Sequence, residues 1–399
     1  MIPAYVFHAV SIAVSILLIP LFLHHLDSSQ YALWLVFTVF GGMTLHLQNA
    51  IQNASVKEIS RGVHLHGDLV QAIQRMRSAY AGLTLFVAFP FFGLGLIYLN
   101  LTGYGIYTLE WCIFIMSYVL VYAFAPNFSL LLGSDRVAKC NYINTLTRML
   151  YLLAAFYFLE HGFSVLGICI SFAISSLLGV ALSSIATRKD INPAWKWSIN
   201  PNFIGYGFFA LAAFYLYSGS ILVAATRFPL ETIAAYGLGI QISILLVALS
   251  LAPLQVWLAR LVRTIGSGSE KKELQRSLIA INCVYISGSV LLFVFGGDLL
   301  VLVGSSIPLL DRIDLVLLAF AVELNIAILI NFLMSKGNYQ FVKPYVLISV
   351  AGFAAGIVAV YITNNIYGFV VAPLCFQSIL SLPWMARIIF AELSVHSST

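Results

Sequence analysis

The chain has 399 residues, of which 61% are hydrophobic and only 9% charged. A soluble domain is roughly a quarter charged, so this composition excludes a water-soluble enzyme and leaves no room for a separate soluble domain. The net charge of +5 resides in connections between apolar runs and forms no basic face of the kind that binds nucleic acid.

A helix that crosses a bilayer needs about 20 apolar residues. In chain order such runs fall near 4–23, 31–52, 78–99, 109–132, 146–160, 163–186, 203–225, 231–257, 276–297, 313–334, 344–363 and 366–390. The fifth is short; the eighth and the last are long enough to tilt. The runs are continuous and lack the alternating polarity of a membrane β-barrel. They are therefore helices, whose backbone groups pair within their own segment. The expected fold class is an all-α polytopic membrane protein of about twelve transmembrane helices.

The first run lacks a basic leader and a small-residue cleavage site, so it reads as a retained span rather than a signal peptide. The break after it, "LDSSQYALW", forms an outer hairpin. Lysine and arginine alternate strictly between connections: all but Arg227 and Arg312 of the 20 fall on one side. By the positive-inside rule that side is cytoplasmic and holds both termini. Trp34 and Trp111 are expected at the outer headgroup level, and Trp257 and Trp384 at the inner one. The five cysteines make no CxxC and no disulfide framework, and read as small core hydrophobes. No cofactor is implied. His24-His25 and His64/His66 lie on opposite sides and make no metal site.

Four features carry chemistry. The second span, "LHLQNAIQNASVKE", places Gln48, Gln52 and Ser55 on one helix face, with Asn49 and Asn53 on the adjacent strip. Amides suit sugar hydroxyls because each offers donors and an acceptor; they equally suit bonds to neighbouring helices. Gln241 on the eighth span is a thinner signal of the same kind. Arg148 shares a face with Asn141 and Asn144 as the fifth span begins. It is a candidate grip for phosphate, or an arginine reaching for the inner interface. Arg227, at the outer end of the seventh span, is either a second phosphate contact or the partner of Glu231. Glu323 stands well inside the tenth span, where a charge costs about 2.5–3.5 kcal/mol on insertion scales. It is either an ion-coupling carboxylate or a neutral acid bonded across helices. Asn325 and Asn331 are its possible helpers; Asn325, two residues on, points to nearly the opposite face.

The outer hairpin returns half a chain later. "DSSQYALWLVF" pairs with "LETIAAYGLGIQI" at an offset that aligns Tyr31 with Tyr236 and Leu33 with Leu238. The most polar stretch between them is "TRKDINPAWKWSINPN". The expected organisation is two six-helix bundles, 1–186 and 203–399, joined by a cytoplasmic linker at 187–202. Parallel repeats of this kind hold a substrate site at their interface.

A first helix ending in Pro20-Leu-Phe-Leu, then Asp27, Tyr31, Leu33 and Trp34, then a polar second helix closing on Lys57, resembles the bacterial polysaccharide transporter family. That family includes the O-antigen flippases and belongs to the superfamily of the multidrug and toxic compound extrusion transporters. Ala32 stands where the family usually has Gly. The resemblance spans the chain through helix number and loop lengths, on a diffuse motif. It implies a flippase, not an enzyme, in a bacterial inner membrane. Its cargo would be an undecaprenyl-diphosphate-linked oligosaccharide, moved among membrane lipids by alternating access, with H+ or Na+ as a coupling ion. Other polysaccharide-assembly membrane proteins are expected partners. Two alternatives stand beside it. A cation-coupled drug antiporter of the same superfamily would want acidic residues deep in the first bundle, where none lies. A polysaccharide polymerase would want a large outer loop bearing acids and bases.

Overall fold

The computed structural model describes residues 2–64, 68–190, 218–251, 270–302, 304–305, 307–335, 338 and 340–395. Among these residues every regular element is a helix. Nine helices among them are long and apolar enough to cross a membrane. The chain divides into two compact units, Met1–Leu211 and Ala212–Thr399. Residues 191–202 of the expected linker and the inner-end Trp257 lie outside the described residues.

The N-terminal unit contains α1 (Ile2–His25), α2 (Ser28–His64), α3 (Leu69–Phe86), α4 (Phe92–Leu101), α5 (Thr108–Gly133), α6 (Val137–Glu160) and α7 (Ser164–Thr187). A π-helical turn, Val87–Phe91, joins α3 to α4 and contains Pro90, whose missing N–H disrupts the regular ladder. The break between α1 and α2 is a capping box. Asp27 Oδ1 accepts from the Gln30 N–H at 2.8 Å and from the Ser29 hydroxyl at 2.6 Å. Gln30 Oε1 in turn accepts from the Asp27 N–H at 3.3 Å. Burial opposes ionisation of Asp27, but these bonds outweigh it and hold the carboxyl below its usual range.

The first turns of α2 are enclosed on all sides. Tyr31 through Phe37 are buried, as an all-round apolar helix must be. Trp111 is fully buried and Trp34 nearly so, which corrects the expectation of headgroup anchors. They belong to an aromatic box in which Phe37 meets Trp111 at 5.3 Å and Phe40 meets it at 5.1 Å. Gly95 makes room for the Trp111 ring: a Cβ there would lie 1.9 Å from the indole. The indole N–H finds the Phe92 carbonyl at 3.2 Å. The displaced expectation has a simple cause: an indole that fills a gap and bonds a carbonyl gains more inside than at the lipid interface. Trp384, by contrast, is exposed.

Helix α7 is the axis of this unit, packed on α5 and α6. Gly167, Ser171, Ser175, Gly179 and Ser183 recur every fourth residue and are buried. Small residues at this spacing let backbones approach closely without lipid between them.

The C-terminal unit contains α8 (Ser220–Ala224), α9 (Leu230–Leu251), α10 (Glu270–Leu302), α11 (Ile313–Ser335), α12 (Val342–Thr363), α13 (Gly368–Phe376) and α14 (Leu382–Val395). A second π-helical turn, Gln377–Ser381, joins α13 to α14. The segment Ile233–Ile240 of α9 is as enclosed as its counterpart in α2, and the Tyr236 hydroxyl bonds Ser220 at 2.8 Å. Reciprocal amide bonds between Asn282 and Asn325, at 2.8 and 3.0 Å, pin α10 to α11. Cys140 and Cys169 are buried, whereas Cys283 and Cys375 are exposed, so only some of the cysteines are core hydrophobes.

Candidate functional site

In the N-terminal unit the α2 amides divide between two faces. Asn49 is exposed and Gln52 half-buried. With exposed Leu45 they form an open strip at i, i+4 and i+7. Gln48 turns inward, and its Oε1 is buried with no hydrogen-bond partner. Ser55, seven residues on along the same face, also has a buried, unbonded hydroxyl. Two orphaned oxygens in one helix leave bonding capacity for water or a polar ligand, because buried polar groups are otherwise almost always paired. Nearby, the Tyr122 hydroxyl donates to Thr44 at 2.7 Å, and Thr44 donates to the Gly41 carbonyl. The side chain of Asn53 lies outside the described residues.

Arg148 is exposed on α6, a helix packed on α1 and α7. Asn141 and Asn144 beside it are half-buried, and Asn144 donates to the Cys140 sulfur at 3.6 Å. The arginine and the α2 amides thus belong to different helix pairings of the same unit.

In the C-terminal unit Gln241 is half-buried on α9. Arg227 has a partner other than Glu231. Its Nε donates to Asn364 Oδ1 at 3.2 Å, and a terminal N–H donates to the Tyr361 carbonyl at 3.4 Å. Its guanidinium sits 4.4 Å from the Tyr361 ring centre. It thereby caps the C-terminus of α12, where a cation meets orphan carbonyls.

The most developed constellation surrounds Glu323. The Tyr345 hydroxyl on α12 donates to Glu323 Oε1 at 2.6 Å, and Glu323 Oε2 is buried without a partner. One turn along α12, Ser349 accepts from Gln377 Nε2 at 3.0 Å. Gln377 and Ser381 delimit the second π-helical turn and are both buried. Gln377 Oε1 and the Ser381 hydroxyl are also unbonded. Glu323, Tyr345, Ser349, Gln377 and Ser381 thus place five polar side chains, three with an orphaned oxygen, on helices that pack together. The set is oxygen-rich, as a hard cation or a proton-bearing carboxyl requires. Neither expected helper of Glu323 reaches it: Asn325 faces Asn282, and Asn331 donates to the Ala327 carbonyl of its own helix. Sequence reasoning passed over Gln377 and Ser381. The signal was an amide in the middle of the last apolar run, "LCFQSIL".

No family model and no curated protein sequence matches the chain. Solved structures do match it. A multidrug resistance MATE family transporter of the MOP superfamily, inward-facing, is similar at TM-score 0.70 and 11% identity, covering 97% of this chain and 96% of its own. The lipid II flippase MurJ in an inward closed conformation gives TM-score 0.71 at 12% identity, over 96% of this chain and 87% of that one. The chain has the fold of the MATE and MurJ transporters. A MOP superfamily transporter from Pyrococcus furiosus, described by the reverse polarity of its binding pocket, shares this fold. It gives TM-score 0.56 at 12% identity over 100% of this chain and 96% of its own. With nine apolar spans among the described residues, the protein is a multi-pass membrane protein.

Proposed function

We propose that the protein is a flippase of the bacterial inner membrane. It carries an undecaprenyl-diphosphate-linked oligosaccharide to the outer leaflet by alternating access of two six-helix bundles, with both termini cytoplasmic. The observation that carries this reading is the chemistry of α2, on a fold shared with a lipid II flippase. Its inner half presents Asn49 and Gln52 on an open face and a buried, unbonded Gln48 Oε1. Neutral amides match a neutral glycan. A cationic drug needs carboxylates deep in the N-terminal unit instead; there Glu160 is exposed at the end of α6, and Glu110, with one buried carboxylate oxygen, stands in the first turn of α5. The diphosphate needs cationic partners to leave water; Arg148 and Arg227 are assigned that role, with Gln241 and Asn53 completing the polar path.

A coupling ion, H+ or Na+, is assigned to Glu323, whose Oε2 is buried and unbonded and whose helix packs on the π-helical turn that carries the orphaned oxygens of Gln377 and Ser381. Deleting the gene tests the cargo. The expected result is lipid-linked oligosaccharide trapped on the cytoplasmic leaflet and loss of surface glycan. Normal surface glycan in the deletion strain contradicts the proposal. Loss of tolerance to cationic dyes, with glycan unaffected, favours the drug antiporter.

A further inference from the structure

The N-terminal unit has a cavity of about 660 Å³ between α3, α5 and the end of α7, which the flippase reading does not use. Its wall changes character along its length. At one end stand Arg77 of α3 and Arg188, just past α7, with Asn127 and Thr187. At the other stand Leu85 and Phe124, which are 52% and 36% exposed. Leu85 lies eight residues beyond Arg77, about 12 Å further along the helix. That separates a headgroup from the upper acyl chain.

The charge balance is positive. The one carboxylate on the wall, Asp190, is held in an ion pair by Arg136, which also donates to the Ala186 carbonyl. Arg188 is exposed and, among the described residues, has no side-chain partner. Pro126 also lines the wall; having no N–H, it leaves the Tyr122 carbonyl without its helical donor. The polar end coincides with the basic connections of the chain, the side on which anionic lipids attract arginine.

We propose that this cavity is a binding site for an anionic phospholipid, its phosphate held by Arg77 and Arg188 and its acyl chain laid against Leu85 and Phe124. A guanidinium pair matches phosphate oxygens bidentately, and a cavity polar at one end and apolar at the other fits an amphiphile, not a free ion. The site stands whatever the cargo is.

Native mass spectrometry of the full chain in detergent tests it, with phosphatidylglycerol and phosphatidylcholine of matched acyl chains. The expected result is retention of phosphatidylglycerol about tenfold above phosphatidylcholine. That preference should vanish in the Arg77→Gln/Arg188→Gln double variant. Arg188→Gln alone, at an exposed helix end, should weaken it severalfold without loss of the monodisperse gel-filtration peak. Ala81→Trp, which fills the cavity, should reduce binding of both lipids. Equal binding of the two lipids by the wild-type chain, or a preference undiminished in Arg188→Gln, overturns the proposal. So does displacement of phosphatidylglycerol by millimolar inorganic phosphate, which would make the ligand a free anion.

Discussion

Glu323 shows how one residue sets the terms for a helix bundle. Its Oε1 takes a bond from Tyr345 and its Oε2 takes none. A buried acceptor left unbonded is costly, so the site is completed by a proton, a cation or water. Glu323→Gln keeps the shape and removes the ionisable group. Transport that depends on an ion gradient should fall about tenfold or more, with expression and thermal stability close to wild type; unchanged transport would remove Glu323 from the mechanism. Asp27 offers a second single-residue test. Asp27→Ala should cost about 0.5–2 kcal/mol through loss of the cap. Because folding lowers the Asp27 pKa below its ordinary value of 3.8, its contribution is fully present above that value. It is lost as pH falls through the lower folded one. The gap in thermal midpoint between wild type and variant should therefore narrow below about pH 4; a constant gap would mean the carboxylate is not the cap. At this scale the sequence was only partly legible. Glu323 announced itself as a lone charge in an apolar run. The rest of the constellation did not: Tyr345, Gln377 and Ser381 come from other helices, and no local pattern says which helices meet.

The helices themselves were largely legible, since twenty apolar residues in a row admit little else in lipid. Their irregularities were not. The π-helical turns at Val87–Phe91 and Gln377–Ser381 arise where packing overrides the regular ladder; Pro90 marks the first, and no proline lies within the second. The capping box was present in the letters Asp-Ser-Ser-Gln, a spacing of acceptor and amide that predicts a helix start, although it reads at first as a mere loop. Trp111 shows the opposite failure. A tryptophan near a helix end suggests the membrane surface, and only the contact with Gly95 reveals a core position. Gly95→Ala pushes a methyl into that indole. It should cost about 1–3 kcal/mol, seen as a lower thermal midpoint, while Gly93→Ala, with open space around it, should be near neutral. Equal effects would mean that the α4–α5 contact is loose. Along α2, Gln48→Leu tests the orphaned amide. If Gln48 lines the cargo path, stability should hold or rise and glycan transport should fall severalfold. Normal transport would assign the amide to packing alone.

For the whole molecule, the segments that the sequence pairs around Tyr31 and Tyr236 are equally buried near the starts of their helices. Identity between the segments is low because burial needs only apolar and small side chains in the right order, not particular ones. The same tolerance explains why solved structures at 11–12% identity share the fold. A fold so permissive leaves cargo to be decided by a few polar side chains: amides for a glycan, carboxylates for a cation. The direct measurement is reconstitution of the full chain into liposomes carrying undecaprenyl-diphosphate-linked oligosaccharide on one leaflet, with lectin access to the other leaflet followed over time. The account predicts that glycan becomes accessible in protein-dependent fashion and that Glu323→Gln slows it when an ion gradient is applied. Liposomes that expel a cationic dye while the glycan stays on its original leaflet would contradict it.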